Sequence, residues 1–156
     1  MRVVLVADHN GVALKAHLAA RARSLGHEVD DRGVHAAGHG ADPVGVDYPP
    51  LCEVACRQVL DGAADRAVVI GGSGMGETVA CNKLPGIRAG LCHDPFTTRI
   101  SRANNDSNVM VVGAKVIGPE VAAQLLELWL ATGFTGGVHA RRLAQIAALE
   151  RGETLL

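Results

Sequence analysis

Apolar positions along the chain fall into two kinds of segment that alternate. RVVLVA (2–7), RAVVI (66–70) and NVMVV (108–112) are short valine-rich runs, the pattern of strands buried on both faces. HEVDD (27–31) is shorter and more polar, and IRAGLC (87–92) completes five predicted strands. Between them the period lengthens. VALKAHLAARARSL (12–25) sets Leu14, Leu18, Ala22 and Leu25 at helical spacing, and YPPLCEVACRQVLDG (48–62) supplies a second helix. Asp94-Pro95 reads as an N-cap with proline in the first turn of a third. Gly118-Pro119-Glu120 opens a helix to about Ala131, and a last one, within about 138–150, lies beyond the final strand. This alternation predicts an α/β fold: a doubly wound parallel sheet of five strands with helices on both faces. No repeat, linker or low-complexity tract interrupts it, so residues 1–156 read as a single domain.

Composition narrows the function classes. Hydrophobic residues make up 48% and aromatics only 3%, so the core must be largely aliphatic. A formal net charge of −1, with no aromatic-basic cluster, argues against nucleic-acid binding. No stretch reaches the roughly 18 apolar residues of a membrane span. The strand pattern starts at once, without a charged n-region and apolar h-region, so a cytoplasmic protein is expected. Cys52, Cys56, Cys81 and Cys92 lack zinc-ligand spacing and read as free thiols.

The candidate chemistry sits in the loops. ADHNG (7–11) follows the first strand and puts Asp8, His9 and Asn10 at a helix N-terminus, where Asp8 or Asn10 can cap the helix or face a ligand. VVIGGSGMGE (68–77) carries four glycines in six residues. Its register fails the dinucleotide fingerprint, and no Lys-Ser/Thr follows to make a P-loop. What remains is an anion-binding nest of amides from about Gly72 to Gly76, with the Ser73 hydroxyl and with Glu77 in the first helical turn. An acid there can be a simple complement to the helix dipole. Asn104, Asn105 and Asp106 can simply end a helix, and His139, Arg141 and Arg142 form either a solvated patch or a phosphate site. His35, His39 and Asp42 lie in a glycine-containing loop to which nothing else converges, so no metal or other cofactor is expected.

Taken together, ADHNG, DYP (47–49), GGSGMGE, NKLPGIRA (82–89), NND (104–106) and VGAKVIG (112–118) resemble the type B ribose-5-phosphate isomerase family, which includes galactose-6-phosphate isomerase subunits. The resemblance implies a Rossmann-like five-stranded sheet and a homodimer, sometimes a tetramer, with sites at the subunit interface. It implies an aldose–ketose isomerase of carbohydrate metabolism acting on a sugar phosphate through an enediolate, without metal or nucleotide. Pentose phosphate (ribose 5-phosphate/ribulose 5-phosphate) is the leading substrate. Many members carry a cysteine base where this chain has Gly71, and a subgroup uses a glutamate at the end of the loop, which makes Glu77 the base here.

The same carry-over makes Asp8 and His9 substrate contacts and Gly72, Ser73, Gly74, Met75 and Gly76 the oxyanion nest. It gives the sugar hydroxyls to Asn105, a pocket wall to Tyr48, and the phosphate to Lys115 and Arg142, with His139 adjacent and Arg141 a possible compensating cation. Two departures stand out. The family's ring-opening histidine falls at Asn104, which cannot transfer a proton. Phosphate arginines fall at Val138 and Lys115. A tetrose phosphate, erythrose or erythrulose 4-phosphate, cannot close that ring and is the alternative substrate. A non-catalytic sugar-phosphate-binding module is the alternative class.

Overall fold

The computed structural model describes residues 1–34 and 46–156, so His35, His39 and Asp42 lie outside the described residues. Five strands alternate with six helices in it: β1 (Arg2–Ala7), α1 (Val12–Ser24), β2 (Glu28–Asp31), α2 (Tyr48–Leu60), β3 (Arg66–Gly71), α3 (Met75–Cys81), β4 (Ala89–Leu91), α4 (Pro95–Ala103), β5 (Val109–Gly113), α5 (Pro119–Ala131) and α6 (Val138–Glu150). All strand pairs are parallel, in the order β2-β1-β3-β5-β4. This is the expected α/β architecture.

The twofold period of β1 decides which side chain meets which layer. Val3, Leu5 and Ala7 enter one core with Leu14 and Leu18 of α1 and with Leu125, Leu126 and Trp129 of α5. Val4 and Val6 enter the other with Cys52, Ala55 and Cys56 of α2 and Cys81 of α3. The four cysteines are free, as their spacing suggested, and all are buried. No described helix is long and apolar enough to cross a membrane.

Chain order reverses at β1 and β3. From β1 the chain crosses outward to β2 on one face, then returns over the other face to β3. In open parallel sheets the crevice at such a switch point, outside the carboxyl ends of the strands, takes the ligand. ADHNG and GGSGMGE both begin there.

Two details depart from the periodicity. Strand β4 covers 89–91 rather than 87–92, because side chains take over its entering backbone bonds. Asn82 Oδ1 accepts the Ala89 N–H at 2.9 Å, its Nδ2 donates to the Ala89 carbonyl at 3.0 Å, and Asn108 Oδ1 accepts from Arg88 N at 2.8 Å. In α1, Leu25 is exposed as the C-cap while Lys15 is buried. Lys15 can be buried because its ammonium meets Asp31 at 2.6 Å and the Arg32 carbonyl, tying α1 to the end of β2. Lys15→Ala is therefore expected to cost roughly 3 kcal/mol in urea unfolding, against under about 1 kcal/mol for Leu25→Ala. The reverse ranking would contradict this packing.

Candidate active site

Asp8 leaves the end of β1 with its N–H bonded to the Ile70 carbonyl of β3 at 3.2 Å, so the two loops are joined at their root. Its carboxylate does not act as an N-cap of α1. Oδ1 accepts the N–H groups of Asn10 (2.8 Å) and Gly11 (3.2 Å), closing an Asx turn, and the helix starts from Gly11 without a side-chain cap. Gly11 is required by crowding, since a methyl group there would sit 2.9 Å from the Ile70 carbonyl oxygen. Asp8 Oδ2 accepts from Asn10 Nδ2 at 2.9 Å. The same amide lies 3.1 Å from Nε2 of the exposed His9 ring. Asn10 is thus the hub of this loop, a part that capping logic alone had not assigned to it.

The second loop turns on Gly74, whose φ of +78° is left-handed and whose Cα is hemmed in by Leu91 and Val111, so only glycine fits. The loop's carbonyls are fastened from β5. Ala114 N–H donates to the Gly71 carbonyl at 2.8 Å and Lys115 N–H to the Gly72 carbonyl at 3.0 Å. Ser73 Oγ accepts the Met75 N–H at 3.2 Å, so one of the expected nest amides is already engaged. The N–H groups of Gly72, Ser73 and Gly74 have no acceptor among the described residues and remain available to an anion.

Glu77 stands in the first turn of α3, 5% exposed. A methyl group on Gly71 would fall inside the Glu77 carboxylate. The acid therefore occupies the space that a side chain at 71 would fill, and its oxygens accept no hydrogen bond among the described residues. This carboxylate is folded back onto the end of β3 at Gly71. Tyr48 leans over the same helix, its hydroxyl 2.6 Å from where a Cβ of Gly76 would lie, and Lys115 reaches along Gly72.

The remaining sequence-derived candidates lie at the other end of the sheet. Asn104 and Asn105 follow α4 and precede β5, whereas Gly113 to Lys115 follow it, and the strand between spans about 15 Å. Thr135 donates through N–H and Oγ1 to the Ala103 carbonyl at 2.9 and 2.6 Å, which brings the entry of α6, with His139, Arg141 and Arg142, to the Asn104 end. Lys115 and Arg142 are therefore not neighbours within one chain. Asp106 holds this second group rigid from a left-handed φ of +44°, accepting from Arg102 at 2.7 Å and Arg88 at 3.0 Å. Arg88 also donates to the Asn105 carbonyl at 3.1 Å. A groove of about 540 Å³ opens here between β4, Asn105 and the Leu143–Ile146 face of α6.

One polar residue at the first site was missed by the sequence reading. His93, just past β4, accepts the Gly113 N–H on Nε2 at 2.9 Å. Burial holds its imidazole below the usual histidine range, against the pull of Asp94. The signal was its place at a strand's carboxyl end, hidden by Asp94, whose capping role is real: Oδ1 accepts from Thr97 N at 2.9 Å. Among the described residues no cluster suits a metal ion.

The Gly71–Glu77 contact makes a double-mutant prediction. Gly71→Ala should cost about 1–3 kcal/mol from overpacking, and most of that loss should vanish in a Glu77→Ala background. Thermal unfolding of the four proteins checks it; additive losses would mean that the carboxylate lies elsewhere.

A family model described as Ribose/Galactose Isomerase matches residues 3–146. A putative sugar phosphate isomerase of Bacillus subtilis is 36% identical over 150 residues, covering 96% of this chain and 97% of that protein. D-erythrulose-4-phosphate isomerase of Pectobacterium atrosepticum is 32% identical over 127 residues, covering 80% and 84%. Among solved structures, ribose-5-phosphate isomerase B of Clostridium thermocellum superposes with a TM-score of 0.89 at 36% identity, covering 97% of this chain and 99% of that one. With a sugar-isomerase model spanning nearly its whole length and the same fold in a solved relative, this chain belongs to the ribose/galactose isomerase family of sugar phosphate isomerases.

Proposed function

We propose that the protein interconverts an aldose phosphate and its ketose phosphate, with ribose 5-phosphate/ribulose 5-phosphate as the leading pair and Glu77 as the base. The observation that carries this is the inward carboxylate of Glu77, with no intramolecular partner among the described residues, beside three unengaged amides. In the aldose-to-ketose direction Glu77 takes the proton from C2, and the C2–H electrons form the C1=C2 bond of the enediolate. Charge gathers on O1, where the N–H groups of Gly72, Ser73 and Gly74 meet it. The proton returns at C1 while the hydroxyl proton passes from O2 to O1, a transfer for which the exposed His9 is suited. One carboxylate serving both carbons keeps the proton on one face of the sugar.

The two ends of the sheet fit this chemistry only as a homodimer, in which Asn105, Arg142, Arg141 and His139 of one protomer complete the nest of its partner and hold the sugar hydroxyls and phosphate. The exposed apolar side chains of Met75 (59%), Val79 (59%) and Phe96 (64%), beside the nest, support such a covered surface. The interface site makes complementation the test. Glu77→Gln and Arg142→Ala, each inactive or nearly so alone, should regain about a quarter of wild-type activity when mixed 1:1 and allowed to exchange subunits, since half the dimers are mixed and each holds one intact site. No recovery in confirmed mixed dimers would refute the shared site.

A tetrose phosphate is the second reading. Asn104 stands where a ring-opening acid is expected, and the Pectobacterium relative is named for erythrulose 4-phosphate. Values of kcat/KM over a panel of C4, C5 and C6 sugar phosphates decide between them. The leading reading expects ribose 5-phosphate to win, the second expects erythrulose 4-phosphate to win, and turnover of none would favour a binding module.

A further inference from the structure

We propose that His93 is a positioning residue for the oxyanion nest: its imidazole stands in for a missing backbone carbonyl at the tip of the sheet and fixes the peptide on which Ser73 is seated. The role rests on the isomerase reading above, because it concerns where the nest amides point.

The β4–β5 register pairs Ala89 with Val109, Gly90 with Met110 and Leu91 with Val111. One step beyond, Cys92 N–H donates to the Val111 carbonyl at 2.8 Å. A parallel ladder would continue with Gly113 N–H donating to the Cys92 carbonyl. Here the chain is already leaving the sheet, with Asp94 extended as the N-cap of α4, and Gly113 N–H goes to His93 Nε2 at 2.9 Å. The ladder thus gains one more rung from a side chain, at the end of β5 that abuts Ser73 of the nest.

That rung matters because of what Gly113 abuts. A Cβ on Gly113 would lie 2.6 Å from the Ser73 carbonyl oxygen and 2.9 Å from the Ser73 Cα. The next two residues, Ala114 and Lys115, hold the Gly71 and Gly72 carbonyls. Residues 113–115 are therefore the floor on which loop 71–73 rests, and His93 is the side chain that pins the near edge of that floor. The bond needs Nε2 unprotonated and the proton on Nδ1. Half-burial of the ring favours that neutral state, with Asp94 the charged group acting against it. A loop shifted by about 1 Å would aim its amides off the developing O1 charge, a displacement that costs up to roughly 100-fold in rate.

The test compares wild type, His93→Gln and His93→Leu on whichever sugar phosphate the panel identifies. Glutamine offers an acceptor near the place of Nε2; leucine fills the space with none. His93→Leu should lower kcat about 10–100-fold with KM changed less than about threefold, because amides aimed at a transition-state charge act on kcat. His93→Gln should stay within about threefold of wild type, and nitrogen-15 NMR of the wild-type ring should read the Nδ1–H tautomer. Full activity in His93→Leu, or equal losses in two folded variants, would overturn the proposal. An Nε2–H tautomer would overturn it without any variant, which covers the case of a leucine protein that does not fold. A wild type inactive on the whole panel would refute the isomerase reading and this role with it, and is told apart because it needs no variant.

Discussion

One steric relation organises the carboxyl end of the sheet: the Glu77 carboxylate fills the space left by the absent side chain of Gly71. A mostly buried acid that accepts no hydrogen bond among the described residues is available to a ligand. Here the fold supplies the geometry that makes it usable. Strand β3 ends where a side chain would have blocked the carboxylate, Gly74 turns the chain through a left-handed conformation, and α3 begins at once, so Glu77 is folded back over the strand it followed. Tyr48 closes over Gly76, and Cys52 Sγ donates to the Glu77 carbonyl from beneath at 3.9 Å. In relatives with a cysteine at the loop's first position, as the sequence resemblance describes them, that space would hold a thiol. Exchanging the two solutions would require changing both positions together.

A parallel sheet also imposes a division. Loops at the carboxyl ends of strands converge, and residues that precede a strand are carried to the far side. Asp8, Ser73, Glu77 and Lys115 belong to the first group, and Asn104, Asn105, Arg141 and Arg142 to the second. Each group is stiff in its own right. Asn10 ties Asp8 to His9 on one side, while Asp106, clamped by Arg88 and Arg102, holds the asparagine turn on the other. In the proposed homodimer, two stiff halves at opposite ends of one chain would build two identical sites by facing each other across the twofold axis.

The fold was legible because β1, β3 and β5 are nearly uninterrupted valine runs and two helices carry clear starts at Asp94-Pro95 and Gly118-Pro119. What periodicity could not carry was long-range pairing. Nothing local distinguishes Lys15 as buried or Leu25 as exposed; that depends on Asp31 arriving beside α1 from another strand. At the site, Glu77 and the glycine loop could be picked out by motif, but the identity of Gly71 as its seat needed coordinates. His93 escaped notice because the neighbouring Asp94 carries the visible capping signal, while its own partner is a backbone N–H twenty residues away. The separation of Lys115 from Arg142 is likewise a matter of topology, which spacing along the chain does not encode.

The central claim is that Glu77 itself moves the proton between C1 and C2. Incorporation of solvent deuterium into the sugar phosphate, followed by NMR in heavy water, tests it most directly. The account predicts that wild type labels the exchanging carbon while Glu77→Gln, still binding the same sugar phosphate, loses exchange by roughly 10²–10⁴-fold. Exchange at the wild-type rate in Glu77→Gln would place the base elsewhere and contradict the account.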